Sequence, residues 1–265
     1  MKWLKPLGLG LAVVVFAAAC GGEGTWTVDE PAGEAMVPDL APMPPIQLHT
    51  SRSEGVDELR FTSTLVNVGE GDFVLRGSRD DSSDRDAWAV DQEIRYSESG
   101  ASLTPTAAEM VWGGDGHEHW HVRRVAEYRL VPLDESGEEV LAEAVVDTKI
   151  GFCFFDSDRM ELGFGPRTAA FSQEQCGDED HTKFRVGLSP GWGDVYSFAL
   201  PGQSFDITNV PDGAYRIWAE ADPRGWFTET DIDNNPTWAD IELYSMADGF
   251  RQYNLIDVGP DPTVE

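Results

Sequence analysis

Positive charge is what this sequence has least of. Nineteen Lys and Arg stand against 48 Asp and Glu, a formal net charge of −29. A field of that sign repels nucleic acid and anionic lipid headgroups and concentrates cations, amines and metal ions among them. It also serves plain solubility, or a salty medium, equally well. Cysteine is scarce too, with Cys20, Cys153 and Cys176 making up the whole complement. Long apolar runs are missing: the stretch Leu7 to Ala19 is too short for an ordinary transmembrane helix. No internal repeat and no strong amphipathic helix is visible, and nothing marks a second domain. Of five histidines, three are crowded into residues 117–121.

The amino terminus reads as an export leader. Lys2 and Lys5 form a charged start, the apolar run follows, and Ala17-Ala18-Ala19 precede Cys20. Small residues before a cysteine, with Gly21-Gly22 after it, resemble a bacterial lipoprotein lipobox. That resemblance implies cleavage before Cys20 and lipidation of its sulfur; an ordinary signal peptide cut nearby is the alternative. Both place the mature protein outside the cytoplasm, and the first tethers it to a bacterial envelope membrane through the lipid alone. Removing residues 1–19 takes away two lysines and no acid, which moves the formal charge from −29 to −31. In an exported protein the remaining pair, Cys153 and Cys176, is most simply a disulfide. Closing that loop of about 23 residues is worth on the order of 3 kcal/mol in the chain-entropy model.

What is present points to strands. Hydrophobic residues make up 41% of the chain, with nine Trp and thirteen Phe, enough for a packed core. Residues 20–36 read as a flexible tether, and the proline-rich 37–45 as an ordered entry segment. Asp57 to Val68 alternates, with Leu59, Phe61 and Leu65 on one face. Further strands are expected at 73–75, 92–98, 107–112, 117–131, 140–146, 194–200, 204–210, 213–220 and 237–244, divided by turn residues. Residues 76–91 and 156–181 read as loops. The expected fold is all-β, a β-sandwich with long irregular loops forming one domain over 37–258, followed by a tail at 259–265.

The histidine cluster is His117-Glu118-His119-Trp120-His121. A strand turns residues i, i+2 and i+4 to one face, so three imidazoles can point the same way. Imidazole suits copper, zinc, iron and nickel. Along a flat strand alternate residues are about 6.5–7 Å apart, so convergence on one ion demands a bend. Gly113, Gly114 and Gly116 permit one. The plainer alternative is three exposed histidines on a polar strand face.

Further segments share an order with a known family. They are Lys149-Ile150-Gly151-Phe152-Cys153, Gly187-Leu188-Ser189-Pro190-Gly191-Trp192-Gly193-Asp194-Val195-Tyr196, the run Phe205 to Tyr215, and Glu229-Thr230-Asp231-Ile232-Asp233-Asn234-Asn235. With the histidine motif they resemble the catalytic domain of lysyl oxidases, in a reduced bacterial form, over about residues 37–245. The resemblance implies His117, His119 and His121 as copper ligands. It implies that Tyr196 is oxidised and joined by Lys149 to give lysine tyrosylquinone. It implies a calcium site at Asp39, Leu40, Glu229, Asp231, Asn234 and Asn235, a donor set of oxygens that suits that ion. Cys153 and Cys176 match one of the family's disulfides. Animal members carry a further histidine and cysteine just before the triad, where this chain has Trp112 to Gly116. That departure puts collagen and elastin in doubt as substrates.

The activity implied is oxidative deamination of primary amines, either lysyl side chains or small amines. The amine becomes an aldehyde, and molecular oxygen is reduced to hydrogen peroxide as ammonia leaves. For Lys149 to join the tyrosine ring it must be neutral, which favours a partly desolvated amine. Asp194 and Asp147 are each placed to act as general base, and the sequence does not choose between them. Two other functions remain open: a non-enzymatic metal-binding surface or adhesion module, and a zinc hydrolase with Glu118 as base. The second leaves Lys149 and Tyr196 unexplained. His49 and His181 have no matched role.

Overall fold

The structure is a computed structural model. It describes residues 26–79, 88–113, 118–141, 151–264 and the backbone of 145–147. The export leader, Cys20, Gly114, Gly116, His117 and Lys149 lie outside the described residues, as do the side chains of 145–147.

The fold is all-β, with four antiparallel sheets among the described residues. A six-stranded sheet runs Lys183–Leu188, Phe73–Ser78, Trp88–Tyr96, Ala101–Trp112, Trp120–Val122, with Ala35–Met36 added against Trp88–Tyr96. A five-stranded sheet runs Val145–Asp147, Ala126–Pro132, Gly213–Ala221, Pro236–Ser245, Arg251–Val258. Asp158–Arg159, Trp192–Tyr196, Ser63–Asn67 and Leu40–Pro42 form the third sheet; Ser204–Asp206, Val56–Phe61 and Leu48–Ser53 form the fourth. Their inner faces share one core, in which Phe61, Leu65, Phe73, Trp120, Tyr128, Phe152, Phe205 and Ile241 are buried. Burial of this many large apolar side chains is the main force holding the sheets together.

Two expected strands turn out to be corners between sheets. Asp57 to Val68 breaks at Thr62, whose N–H donates to the Gln47 carbonyl at 3.0 Å. Before the break the chain pairs with Leu48–Ser53, and after it with Leu40–Pro42 and Trp192–Tyr196. Leu59, Phe61 and Leu65 still reach one core because both sheets face it. The expected strand 117–131 breaks after Val122. Arg124 adopts a left-handed φ of 58°, and the chain leaves the six-stranded sheet to enter the five-stranded one at Ala126. The Asp222 N–H fixes that corner by donating to the Val125 carbonyl at 2.9 Å. Residues 194–200 and 204–210 are strand only to Tyr196 and Asp206. The loops at 76–91 and 156–181 also need correction. Strand continues to Ser78 and resumes at Trp88, and the second loop carries the short strand Asp158–Arg159 and a 3-10 turn at Gln173–Cys176.

Residues 26–36 lie along the six-stranded sheet. Trp26 donates its indole N–H to the Gly77 carbonyl at 3.0 Å, and the Arg76 guanidinium sits 4.6 Å over its ring. Among the described residues no helix is long and apolar enough to cross a membrane.

Candidate active site

The histidine segment enters the site from the edge of the six-stranded sheet. Trp112 pairs with Trp120 and Val111 with His121, and the Gly113 N–H donates to the His119 carbonyl at 3.0 Å. The rings of His119 and His121 lie 4.4 Å apart, centroid to centroid, at 61°. That is well inside the spacing of a flat strand, so the two imidazoles lean together. His121 is buried.

Behind them Trp120 points the other way and is fully buried against Trp88 (4.5 Å) and Trp112 (5.4 Å). Its indole N–H donates to the Asp178 carbonyl at 2.8 Å. Arg79 lies over both Trp88 and Trp120, at 4.7 and 4.9 Å, and donates to the His181 and Glu179 carbonyls. This buried cation clamps the histidine strand to the 178–182 loop. Arg79→Met is therefore expected to lower unfolding free energy by about 2 kcal/mol, the loss of a desolvated cation–π contact. Urea denaturation checks this, and an unchanged midpoint would mean that the clamp contributes nothing.

Gly151 to Phe154 are laid directly against the histidine strand. Val122 and Phe152 exchange both backbone hydrogen bonds, at 2.8 and 3.1 Å. Gly151 has no room for a side chain: a Cβ there would stand 2.3 Å from the Val122 carbonyl oxygen and 2.9 Å from the His121 Cβ. The segment that follows Lys149 thus reaches the histidines through a glycine that lets two backbones touch. The side chain of Asp147 is undescribed; its backbone pairs with Tyr128.

Tyr196 closes the site from the third sheet. Its hydroxyl accepts the Cys153 N–H at 3.0 Å, its ring meets Phe152 edge-on at 4.8 Å, and its centroid is 6.5 Å from that of His121. Two residues earlier on the same face, buried Asp194 accepts the Phe154 N–H at 3.2 Å. Phe154 takes a left-handed φ of 65°, an unfavourable conformation for a bulky residue that the surroundings must hold in place. Burial first, and then the charge of Asp194, hold the Tyr196 phenol well above its ordinary pKa. It is therefore a neutral phenol across physiological pH.

Cys153 and Cys176 are joined in a disulfide. It ties the segment bonded to Tyr196 to the Gln173–Cys176 turn. A cavity of about 410 Å³ opens over the site, lined by Glu118, His119, Phe155, Gln173, Val195, Tyr196 and Leu200.

Asp156 has a role that no sequence pattern announced. Its carboxylate accepts the Ser189 N–H and hydroxyl, both at 2.8 Å, and the N–H groups of Ala170 and Phe171. It therefore folds the long loop onto the segment leading to Tyr196. The run Phe205 to Tyr215 is structural: Tyr215 donates to the Pro211 carbonyl at 2.9 Å, and Thr208 accepts the Asp57 N–H at 3.0 Å. His49 stacks on Phe198 at 5.3 Å and His181 bonds Asp178 at 2.7 Å; neither lines the cavity.

The oxygen-rich group is also assembled. Glu229 accepts the Leu40 N–H at 2.7 Å and an Asn235 amide hydrogen at 3.2 Å, while Asn234 donates to Asp39 at 2.9 Å. Burial, with the charges of Asp222 and Asp39 adding to it, pushes Glu229 up to about 7. Burial and the neighbouring Asp231 raise Asp39. The amide oxygens of Asn234 and Asn235 are buried without a hydrogen-bond partner. Crowded carboxylates beside orphaned carbonyl oxygens are what a hard cation would satisfy. Among the described residues no group of three His, Cys, Asp or Glu is arranged to hold a metal. The histidine set contributes two described members, and the oxygen set relies on amides and backbone beside its acids.

A family model described as "Lysyl oxidase" matches residues 90–250. Among curated proteins, protein-lysine 6-oxidase of Gallus gallus is 31% identical over 126 residues, which is 47% of this chain and 26% of that protein. The Sus scrofa protein of the same name is 30% identical over 47% of this chain and 44% of its own length. The Homo sapiens one is 30% identical over 47% and 26%. The alignments thus span between about a quarter and under half of these relatives.

Proposed function

The chain belongs to the lysyl oxidase family, and from that premise we propose that it is a copper- and lysine-tyrosylquinone-dependent amine oxidase. The observation that carries the reading is the meeting of three distant segments, the His119–His121 pair, Gly151 to Cys153, and Tyr196, beside a cavity that His119 and Tyr196 line. His117, His119 and His121 would hold copper, and the neutral nitrogen donors suit that ion. Copper and dioxygen would supply the oxidation that joins Lys149 to Tyr196, and the group so formed would supply the electron sink for oxidising primary amines to aldehydes, with dioxygen and water consumed and hydrogen peroxide and ammonia released.

The rest belongs to the chain itself. The Cys153 N–H fixes the Tyr196 oxygen and so sets which edge of the ring faces the histidines. Phe152 packs against the ring and shields it from water. Phe155, Val195 and Leu200 give an amine's alkyl stem an apolar wall. We assign the general base to Asp194, which shares a strand face with Tyr196. Asp39, Leu40, Glu229, Asp231, Asn234 and Asn235 would hold calcium, and the orphaned amide oxygens support that reading. We further propose export, with attachment to an envelope membrane through a lipid on Cys20. The amine and molecular oxygen are then the partners, and nucleic acid is not one.

Copper-loaded protein should show a quinone absorbance, form an adduct with a hydrazine, and release peroxide when given an amine. A peptide map with unmodified Lys149 and Tyr196 after aerobic copper loading of folded protein would sink the cofactor assignment. Lys149→Ala is expected to lose the adduct entirely while retaining copper; surviving turnover would refute the mechanism.

A further inference from the structure

A second cavity, of about 860 Å³, lies between the loop at 164–170, the turn at 68–72 and Ser189-Pro190. It shares no lining residue with the cavity over Tyr196. Two buried side chains fix its walls. The Asn67 amide nitrogen donates to the Gly71 and Leu188 carbonyls, both at 2.8 Å, and its oxygen accepts the Gly69 N–H at 3.1 Å. Asp156 joins the Ala170 N–H to the N–H and hydroxyl of Ser189. The Trp192 indole N–H adds a third tie, to the Pro166 carbonyl at 2.9 Å. A cavity whose walls are already held loses little freedom when a ligand fills it.

On that frame the Phe164 ring is 40% exposed. Gly163 and Gly165 flank it at φ 78° and 79°, and a Cβ on Gly165 would overlap the Pro190 carbonyl. The backbone that presents the ring is thus packed directly on the cavity floor. Val68, Pro166 and Pro190 continue the apolar lining, and Glu70 and Asp72 are the charged groups among the described residues that line it. Arg95 stands 3.8 Å from Asp72, beyond hydrogen-bond reach, and does not line the cavity. Burial raises the Asp72 carboxyl above its ordinary pKa, a cost that a cation in the cavity would relieve. A ring and aliphatic walls beside two carboxylates suit a ligand with an apolar body and a positive head.

We propose that this cavity is a second binding site, for an organic cation with an aromatic or aliphatic body. Glu70 and Asp72 take the charge, and Phe164 takes the body. The site stands whether or not the chain oxidises amines. Calorimetry on the metal-free protein at low salt would use benzylguanidinium as the probe, because a planar guanidinium pairs well with carboxylates. Methylguanidinium carries the charge without the body, and benzyl alcohol the body without the charge. Wild type should bind the probe about fivefold more tightly than either, or better. Glu70→Gln and Asp72→Asn should each weaken it about two- to fivefold, the range of a single exposed ion pair. Phe164→Ala should cost a similar factor through the lost ring contact. Glu70 and Phe164 are exposed, so those two variants keep their fold whatever Asp72→Asn does. Two controls should leave binding unchanged: Glu161→Gln, an exposed acid just before the loop, and Glu118→Gln, in the other cavity. The proposal is overturned if wild type shows no binding at millimolar probe, if it binds all three ligands alike, or if no cavity variant weakens the probe. It is equally overturned if a control weakens binding as much as the cavity variants do. That result from Glu118→Gln would put the probe over Tyr196, and from Glu161→Gln would leave only the protein's general field.

Discussion

Tyr196→Phe should abolish the hydrazine adduct and bring amine-dependent peroxide down to background, while copper is still bound. The substitution removes one oxygen and leaves the ring in its seat against Phe152. Without that oxygen the Cys153 N–H, buried at the centre of the site, loses its acceptor. A stranded buried donor costs about 1–3 kcal/mol, so the thermal midpoint should fall by a few degrees and the fold should survive. Copper binding by equilibrium dialysis, the adduct spectrum and the midpoint together form the measurement. A variant that keeps its turnover would show that another residue carries the chemistry. One that loses copper as well would place Tyr196 among the ligands.

The second large effect concerns the oxygen cluster at Asp39 and Glu229. Stripping divalent cations at pH 7.5 should lower the melting temperature by roughly 5–10 °C relative to millimolar calcium. That corresponds to about 3 kcal/mol for a site filled to a hundred times its dissociation constant. The sign of the pH dependence follows from Glu229. Its pKa is about 7 in the folded chain, raised from 4.5 by burial. Between those values the cation-free folded state binds more protons than the unfolded chain, so its stability falls as pH rises through that window. A cation favours the ionised carboxylate and offsets that loss. The calcium-dependent shift should therefore be large at pH 7.5 and much smaller near pH 4.5. Equal shifts at both pH values would remove Glu229 from the site. Asn234→Ala and Asn235→Ala should each reduce the shift, since their amide oxygens have no other partner.

Local pattern made the candidate site's residues more legible than the chain's path. His119, His121, Cys153 and Tyr196 stand in short motifs whose spacing survives translation into structure. The cysteine pair needed only the inference of export. The corners at Thr62 and Arg124 were invisible because the apolar residues on either side of each, Phe61 and Leu65 or Val122 and Val125, enter one core and read as a single strand's run. Arg251–Val258 was missed because most of its residues are exposed and present no apolar face. Asp156 escaped for another reason: one carboxylate that gathers backbone N–H groups from two distant segments has no sequence period at all.

The Cys153–Cys176 disulfide also bears on chain topology. A bond between Lys149 and Tyr196 would close a ring of roughly 47 residues, and the disulfide lies wholly inside it. With the inner ring already shut, the outer path shortens to about half that length, and the chain-entropy model still credits its closure with on the order of 3 kcal/mol. The mature protein would be a nested pair of covalent loops around its own cavity. Reduction would then open only the inner one, so a cofactor bond between Lys149 and Tyr196 would double as a staple that reductants cannot remove.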